Sequence, residues 1–211
     1  MNRLKVGVLA SGRGSNLGAI LDRSIAGDIE VEVAVVLSDV EDAVALDRAR
    51  AAGVPALHIP PGRFRTRLEP AAERRYVKTL KNHGVEVVAL AGFMRILHDD
   101  FLGAFPGAVV NIHPSLLPSF PGRDVQRKAI EHGVKWSGAT VHFVDVGVDS
   151  GPIILQAAVP VLDDDTPETL AARILVEEHR IYPAALQLVA HRRLRISGRR
   201  VLLESDAGSD S

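Results

Sequence analysis

Dense apolar runs of five to seven residues alternate with amphipathic stretches along most of the chain. Leu4 to Ala10 has the make-up of a strand buried on both faces, and a Gly/Ser turn separates it from Ser15 to Ala26, whose apolar positions recur at helical spacing. The pattern then repeats. Val31 to Leu37 is a second strand, Ala43 to Ala52 a helix closed by Gly53, and Pro55 to Ile59 a short third strand. A charged helix from Thr66 to Asn82 precedes the strand Val85 to Ala91, and a short helix, Asp99 to Phe105, leads to a strand ending at Asn111. Such alternation predicts α/β architecture.

The second half changes rhythm. Arg123 to Glu131 predicts a helix, and Ser137 to Val144 and Pro152 to Pro160 predict two strands that pair antiparallel. Thr166-Pro167-Glu168 supplies an N-cap, a first-turn proline and an acid for a long helix to Ala190, which Pro183 is expected to bend or interrupt. Leu194 to Ser197 and Arg199 to Leu203 predict a hairpin around Gly198, and 204–211 a disordered polar tail. Without repeats or a linker, residues 1–203 are expected to form one domain.

Composition narrows the functions. With 25 basic against 26 acidic residues the formal charge is -1, which argues against an electrostatically driven nucleic-acid or membrane binder. The absence of cysteine excludes disulfides, thiolate metal sites and a thiol nucleophile. The eight histidines are scattered with no His-Glu-x-x-His pattern, so no metal is expected. With no signal segment and no apolar run of membrane-spanning length, a cytoplasmic protein acting on small molecules, as monomer or homodimer, is expected.

Three patches carry candidate chemistry. In Asn111-Ile112-His113-Pro114, Pro114 biases His113 toward extended backbone, so the amide and the imidazole share a face. An amide can donate to a developing oxyanion and an imidazole can move a proton; as structural residues the two would cap a turn and bond a local carbonyl. Ser11-Gly12-Arg13-Gly14-Ser15-Asn16 joins the first strand to the first helix, where successive N–H groups can cradle a phosphate or merely make a tight turn. A dinucleotide fingerprint needs a third glycine at the position of Leu17, so that motif is broken, although Asp39 stands where a ribose-binding acid would. Third, Asp149 in Val148-Asp149-Ser150-Gly151-Pro152 serves either as a turn residue or as the charge partner of His113.

Together these patches, with Leu90-Ala91-Gly92-Phe93-Met94-Arg95-Ile96-Leu97 and Glu178-His179-Arg180-Ile181-Tyr182-Pro183, resemble the glycinamide ribonucleotide formyltransferases. The resemblance implies a Rossmann-like formyltransferase fold: a mostly parallel central sheet flanked by helices, with antiparallel strands in the C-terminal half. It implies a phosphate-binding half of about 1–105 and a catalytic and folate half of about 106–203. Catalysis would fall to Asn111, His113 and Asp149, and binding of the phosphoribosyl glycinamide to Gly12, Gly14, Ser15, Asn16 and Glu178. The co-substrate 10-formyltetrahydrofolate would lie along Met94, Arg95, Ile96 and Leu97, Asn111, and the loop Val144, Asp145, Val146, Gly147, Val148 and Asp149, with Arg67 near its far end. Leu117-Pro118 would be a cis peptide. The chain departs from the family at Arg123-Asp124, where many members follow the glycine with a leucine or alanine and then a histidine. Other formyl-folate enzymes, including sugar-nucleotide formyltransferases, and a nucleotide-sensing module are the alternatives.

Overall fold

The structure, a computed structural model, describes residues 3–204; the tail predicted to be disordered lies outside them from residue 205 onward. Its strands are β1 (Leu4–Leu9), β2 (Val31–Ser38), β3 (Ala56–His58), β4 (Val87–Leu90), β5 (Val109–His113), β6 (Trp136–Phe143), β7 (Ile153–Pro160), β8 (Leu194–Ser197) and β9 (Arg200–Leu203). They form one sheet in the order β3-β2-β1-β4-β5-β6-β7-β9-β8. The first five are mutually parallel, whereas β6 runs antiparallel to both β5 and β7. This is the expected fold class, and the sheet continues unbroken through both halves of the chain.

The helices α1 (Ser15–Ala26), α2 (Val44–Ala51), α3 (Pro70–Asn82), α4 (Asp99–Ala104), α5 (Val125–Glu131) and α6 (Pro167–Ala190) cover the two faces. Strand periodicity sorts the core. Val6, Val8 and Val36 face a cluster with Leu17 and Ile20 of α1, Leu46 of α2 and Ile174 and Tyr182 of α6. Leu9, Val35 and Leu37 point the other way, onto Tyr76 and Leu80 of α3 and Phe101 of α4.

Three expectations need correction. The charged helix begins at Pro70 and not at Thr66, because a proline at the first helical position holds Glu69 extended at φ -71, ψ 144. Arg67, just upstream, forms an isolated parallel bridge with Ile96. The fifth strand runs past Asn111 to His113, sustained by pairing with β6 as far as Thr140. Of the two outcomes expected at Pro183, interruption does not occur, since α6 continues to Ala190. Burial of Leu170, Ile174, Ile181, Tyr182 and Leu186, each worth about 1.5–3 kcal/mol, outweighs the roughly 3 kcal/mol that an interior proline costs.

On either side of β1 the chain leaves the sheet in opposite directions, β2 and β3 lying on one side and β4 and β5 on the other. In open parallel sheets the crevice beyond the strands' carboxyl ends at such a reversal is where ligands bind.

Candidate active site

Strand alternation places Asn111 and His113 on one face of β5, as the sequence predicted. The partner that sequence reasoning missed is His142, which the β5–β6 register sets directly opposite Asn111. Asn111 Nδ2 lies 3.2 Å from His142 Nε2. The other ring nitrogen, Nδ1, is 2.8 Å from the Phe143 carbonyl and must donate to it, so Nε2 accepts the Asn111 amide proton. Burial is the main cause that lowers the His142 pKa below its ordinary 6.5, which keeps the acceptor lone pair free at neutral pH. A histidine between Val141 and Phe143 in an otherwise buried strand was the signal available in the sequence, since buried polar groups require partners.

His113 is buried and bridges two oxygens. Its Nε2 is 3.0 Å from the Phe120 carbonyl, and its Nδ1 is 3.4 Å from Asp149 Oδ2. Asp149 Oδ1 is also 3.8 Å from His142 Nε2, so one carboxylate faces both imidazoles. The structural readings of these residues hold: His113 bonds a local carbonyl and Asp149 sits in a turn, at φ 52, while the same contacts set the two side chains facing each other. The same Asp149 Oδ2 accepts the Gly122 N–H at 2.8 Å, which ties the loop after the cis Leu117–Pro118 bond to the site. Arg123 and Asp124, the departure from the family pattern, line this side of the cleft.

A cleft of about 590 Å³ opens beside these groups. Met94, Ile96 and Leu97 line one wall and the loop Val144 to Asp149 the other. Met94, Ile96, Val146 and Val148 are each at least half exposed, and so many exposed apolar side chains around one mouth mark a ligand groove. Asn16 and Glu178 also line the cleft, where Asn16 Nδ2 donates to Glu178 Oε2 at 2.7 Å. Burial, chiefly, raises the Glu178 pKa above the usual carboxylate value, and the Asn16 hydrogen bond partly offsets it.

The structure redistributes other predicted site residues. The Asn16 side chain gives one amide N–H to Glu178, and its buried Oδ1 has no hydrogen-bond partner among the described residues; its backbone N–H lies at the start of α1. Gly14 takes the left-handed conformation at φ 66 as the N-cap of α1, with no side chain capping the first turn. A Cβ on Gly14 would stand 2.8 Å from Ala45, whereas Gly12 faces open space. Ser15 lines a separate pocket of about 380 Å³ with Arg48 and His179. Arg95 lines the cleft, and its guanidinium bonds Asp39 through Nε and the loop carbonyls of Phe64 and Arg65 through Nη1. Arg67 stacks on Phe64, 4.2 Å from the ring centroid, and it is Thr66 that reaches the cleft. Among the described residues no group of three His, Cys, Asp or Glu side chains could hold a metal, and no helix is long and apolar enough to cross a membrane.

An amide, two imidazoles and a carboxylate at the end of a parallel-sheet crevice, beside a glycine turn at a helix N-terminus, constitute acyl-transfer machinery. The chain belongs to the formyl transferase family, whose model matches residues 4–186. It is 41% identical over 183 residues to the phosphoribosylglycinamide formyltransferase of Bacillus subtilis (strain 168), covering 87% of this chain and 93% of that protein. The glycinamide ribonucleotide transformylase 1 of Symbiobacterium toebii superposes with a TM-score of 0.92 at 55% identity, covering 97% of this chain and 95% of the other. The "trifunctional purine biosynthetic protein adenosine-3" of Drosophila pseudoobscura pseudoobscura is 47% identical over 92% of this chain, which spans only 14% of that protein's length.

Proposed function

We propose that this formyltransferase moves the formyl group of 10-formyltetrahydrofolate to the amine of N1-(5-phospho-D-ribosyl)glycinamide, as a step of purine synthesis. The observation that carries the proposal is the convergence of Asn111, His113, His142 and Asp149 at one cleft, with the Asn16–Glu178 pair lining it as well. The names of the Bacillus and Symbiobacterium relatives support the choice of acceptor.

The neutral amine attacks the formyl carbon and forms a C–N bond, and the carbonyl π electrons move to oxygen. Asn111 holds the resulting oxyanion with the amide N–H that His142 does not occupy. The two ring nitrogens of His113 face the Phe120 carbonyl and Asp149, so the ring is held in one orientation beside the oxyanion and against the acid that handles the proton. Asp149 receives the proton shed by the attacking amine and returns it, through water, to N10 of the folate as the C–N10 bond breaks. Atoms and charge balance with no acyl-enzyme and no metal.

The apolar mouth formed by Met94, Ile96, Val146 and Val148 suits the folate ring system. The N–H groups at the start of α1, from Gly14 onward, suit the phosphate, and Glu178 the glycinamide amine. The test is to incubate the protein with both substrates and weigh the products. A gain of one formyl group on the glycinamide, matched by release of tetrahydrofolate, is expected. Folate release without acceptor formylation would instead make the chain a hydrolase.

A further inference from the structure

We infer that Asp39 is a positioning residue that presets the folate-lining segment Gly92 to Leu97 from beneath; this rests on the reading of the cleft given above. The Asp39 side chain is 1% exposed and follows β2 at the carboxyl edge of the sheet. Both of its oxygens are committed. Oδ2 accepts from Arg95 Nε at 2.6 Å and Oδ1 from the Ser11 hydroxyl at 2.5 Å. At 1% exposure the carboxylate is not open to a ribose, which counts against the dinucleotide reading.

Both arms end on the same segment. Because the Ser11 O–H is aimed at Asp39, its lone pair is turned to the Met94 N–H, which donates to it at 2.9 Å. The Ser11 backbone adds a bond from its own N–H to the Gly92 carbonyl at 3.1 Å. On the other arm, Arg95 Nη1 donates to the Phe64 carbonyl at 2.8 Å and to that of Arg65. The carboxylate thus fixes Arg95, Arg95 fixes the loop before α3, and the exposed side chains of Met94 and Ile96 are held against the cleft. A carboxylate can satisfy both donors at once; a carboxamide has one acceptor oxygen, so one arm must reorganise.

Asn111, His113, His142 and Asp149 belong to β5, β6 and the following loop, and none of them contacts the network. Preorganisation of this kind acts on binding of the ligand that the wall touches.

The experiment compares wild type, Asp39→Asn and Ser11→Ala in steady-state kinetics with both substrates, alongside thermal melts. Asp39→Asn is expected to raise KM for 10-formyltetrahydrofolate about tenfold or more, while kcat and the acceptor KM stay within about threefold. Ser11→Ala, which removes one arm, is expected to raise the same KM by a smaller factor. An unchanged folate KM in folded Asp39→Asn overturns the inference. So does a rise shared equally by both substrates, or a loss confined to kcat, because either denotes general loosening. Should Asp39→Asn fail to fold, the Ser11→Ala result decides by the same criterion. If wild type transfers no formyl group at all, it is the proposed activity that fails.

Discussion

Replacing Asn111 by alanine deletes the amide donor proposed for the oxyanion, and the geometry around it allows the effect to be divided into two parts. The amide carries two N–H groups; one is held by His142 Nε2 at 3.2 Å and the other remains for the ligand. Loss of a preorganised oxyanion donor costs on the order of 100- to 1000-fold in kcat, about 2.7–4 kcal/mol. The His142 contact is a neutral hydrogen bond, worth about 0.5–1.5 kcal/mol. His142→Leu should therefore lower kcat by up to about tenfold in the wild-type background, since 1.36 kcal/mol is tenfold in rate. In an Asn111→Ala background the same change should do almost nothing, because the amide it orients is gone. Single-turnover measurements with saturating substrates supply the four rates, and circular dichroism with a thermal melt confirms that each variant is folded. A folded Asn111→Ala protein within tenfold of wild type would refute the oxyanion role. Equal losses from His142→Leu in both backgrounds would refute the positioning role of His142.

Four further outcomes follow from the same geometry. Gly12→Val meets open space, so it should leave the melting temperature unchanged while raising the acceptor KM; Gly14→Val, which collides with Ala45, should lower the melting temperature as well. Glu178 has its folded pKa raised above 4.5, so its contribution to stability is full below that pH and lost as pH rises through the folded value. Glu178→Gln should accordingly melt higher than wild type at pH 8, lose that advantage near pH 4.5, and bind the acceptor more weakly. For His142 the folded pKa is lowered, so the unfolded chain binds the extra proton, and stability falls as pH drops below 6.5; melts between pH 7.5 and 5.5 should show His142→Leu losing less than wild type. Dialysis against a chelator should leave turnover intact, and a loss restored by a divalent cation would contradict the metal-free mechanism.

Much of the site was legible because it is encoded locally. The alternation of apolar runs and amphipathic stretches fixed α/β architecture, since period and run length decide which face is buried. Asn111 and His113 two apart before a proline had to share a face, and Ser11 to Asn16 between a strand and a helix had to form a backbone turn at a helix N-terminus. What tertiary structure alone decided were the pairings between distant segments. His142 meets Asn111 only through the β5–β6 register, 31 residues away, and a register slip by one residue would have turned it to the opposite face. Arg95, which lines the cleft as expected of a neighbour of the ligand, also pairs with Asp39, 56 residues earlier, because a carboxylate that is 1% exposed must be paired. Asn16 likewise meets Glu178, on a helix that packs against its own only once the sheet is assembled. Local sequence sets backbone conformation, but the partner of a buried polar side chain is chosen by whichever complementary group the fold delivers within hydrogen-bond reach.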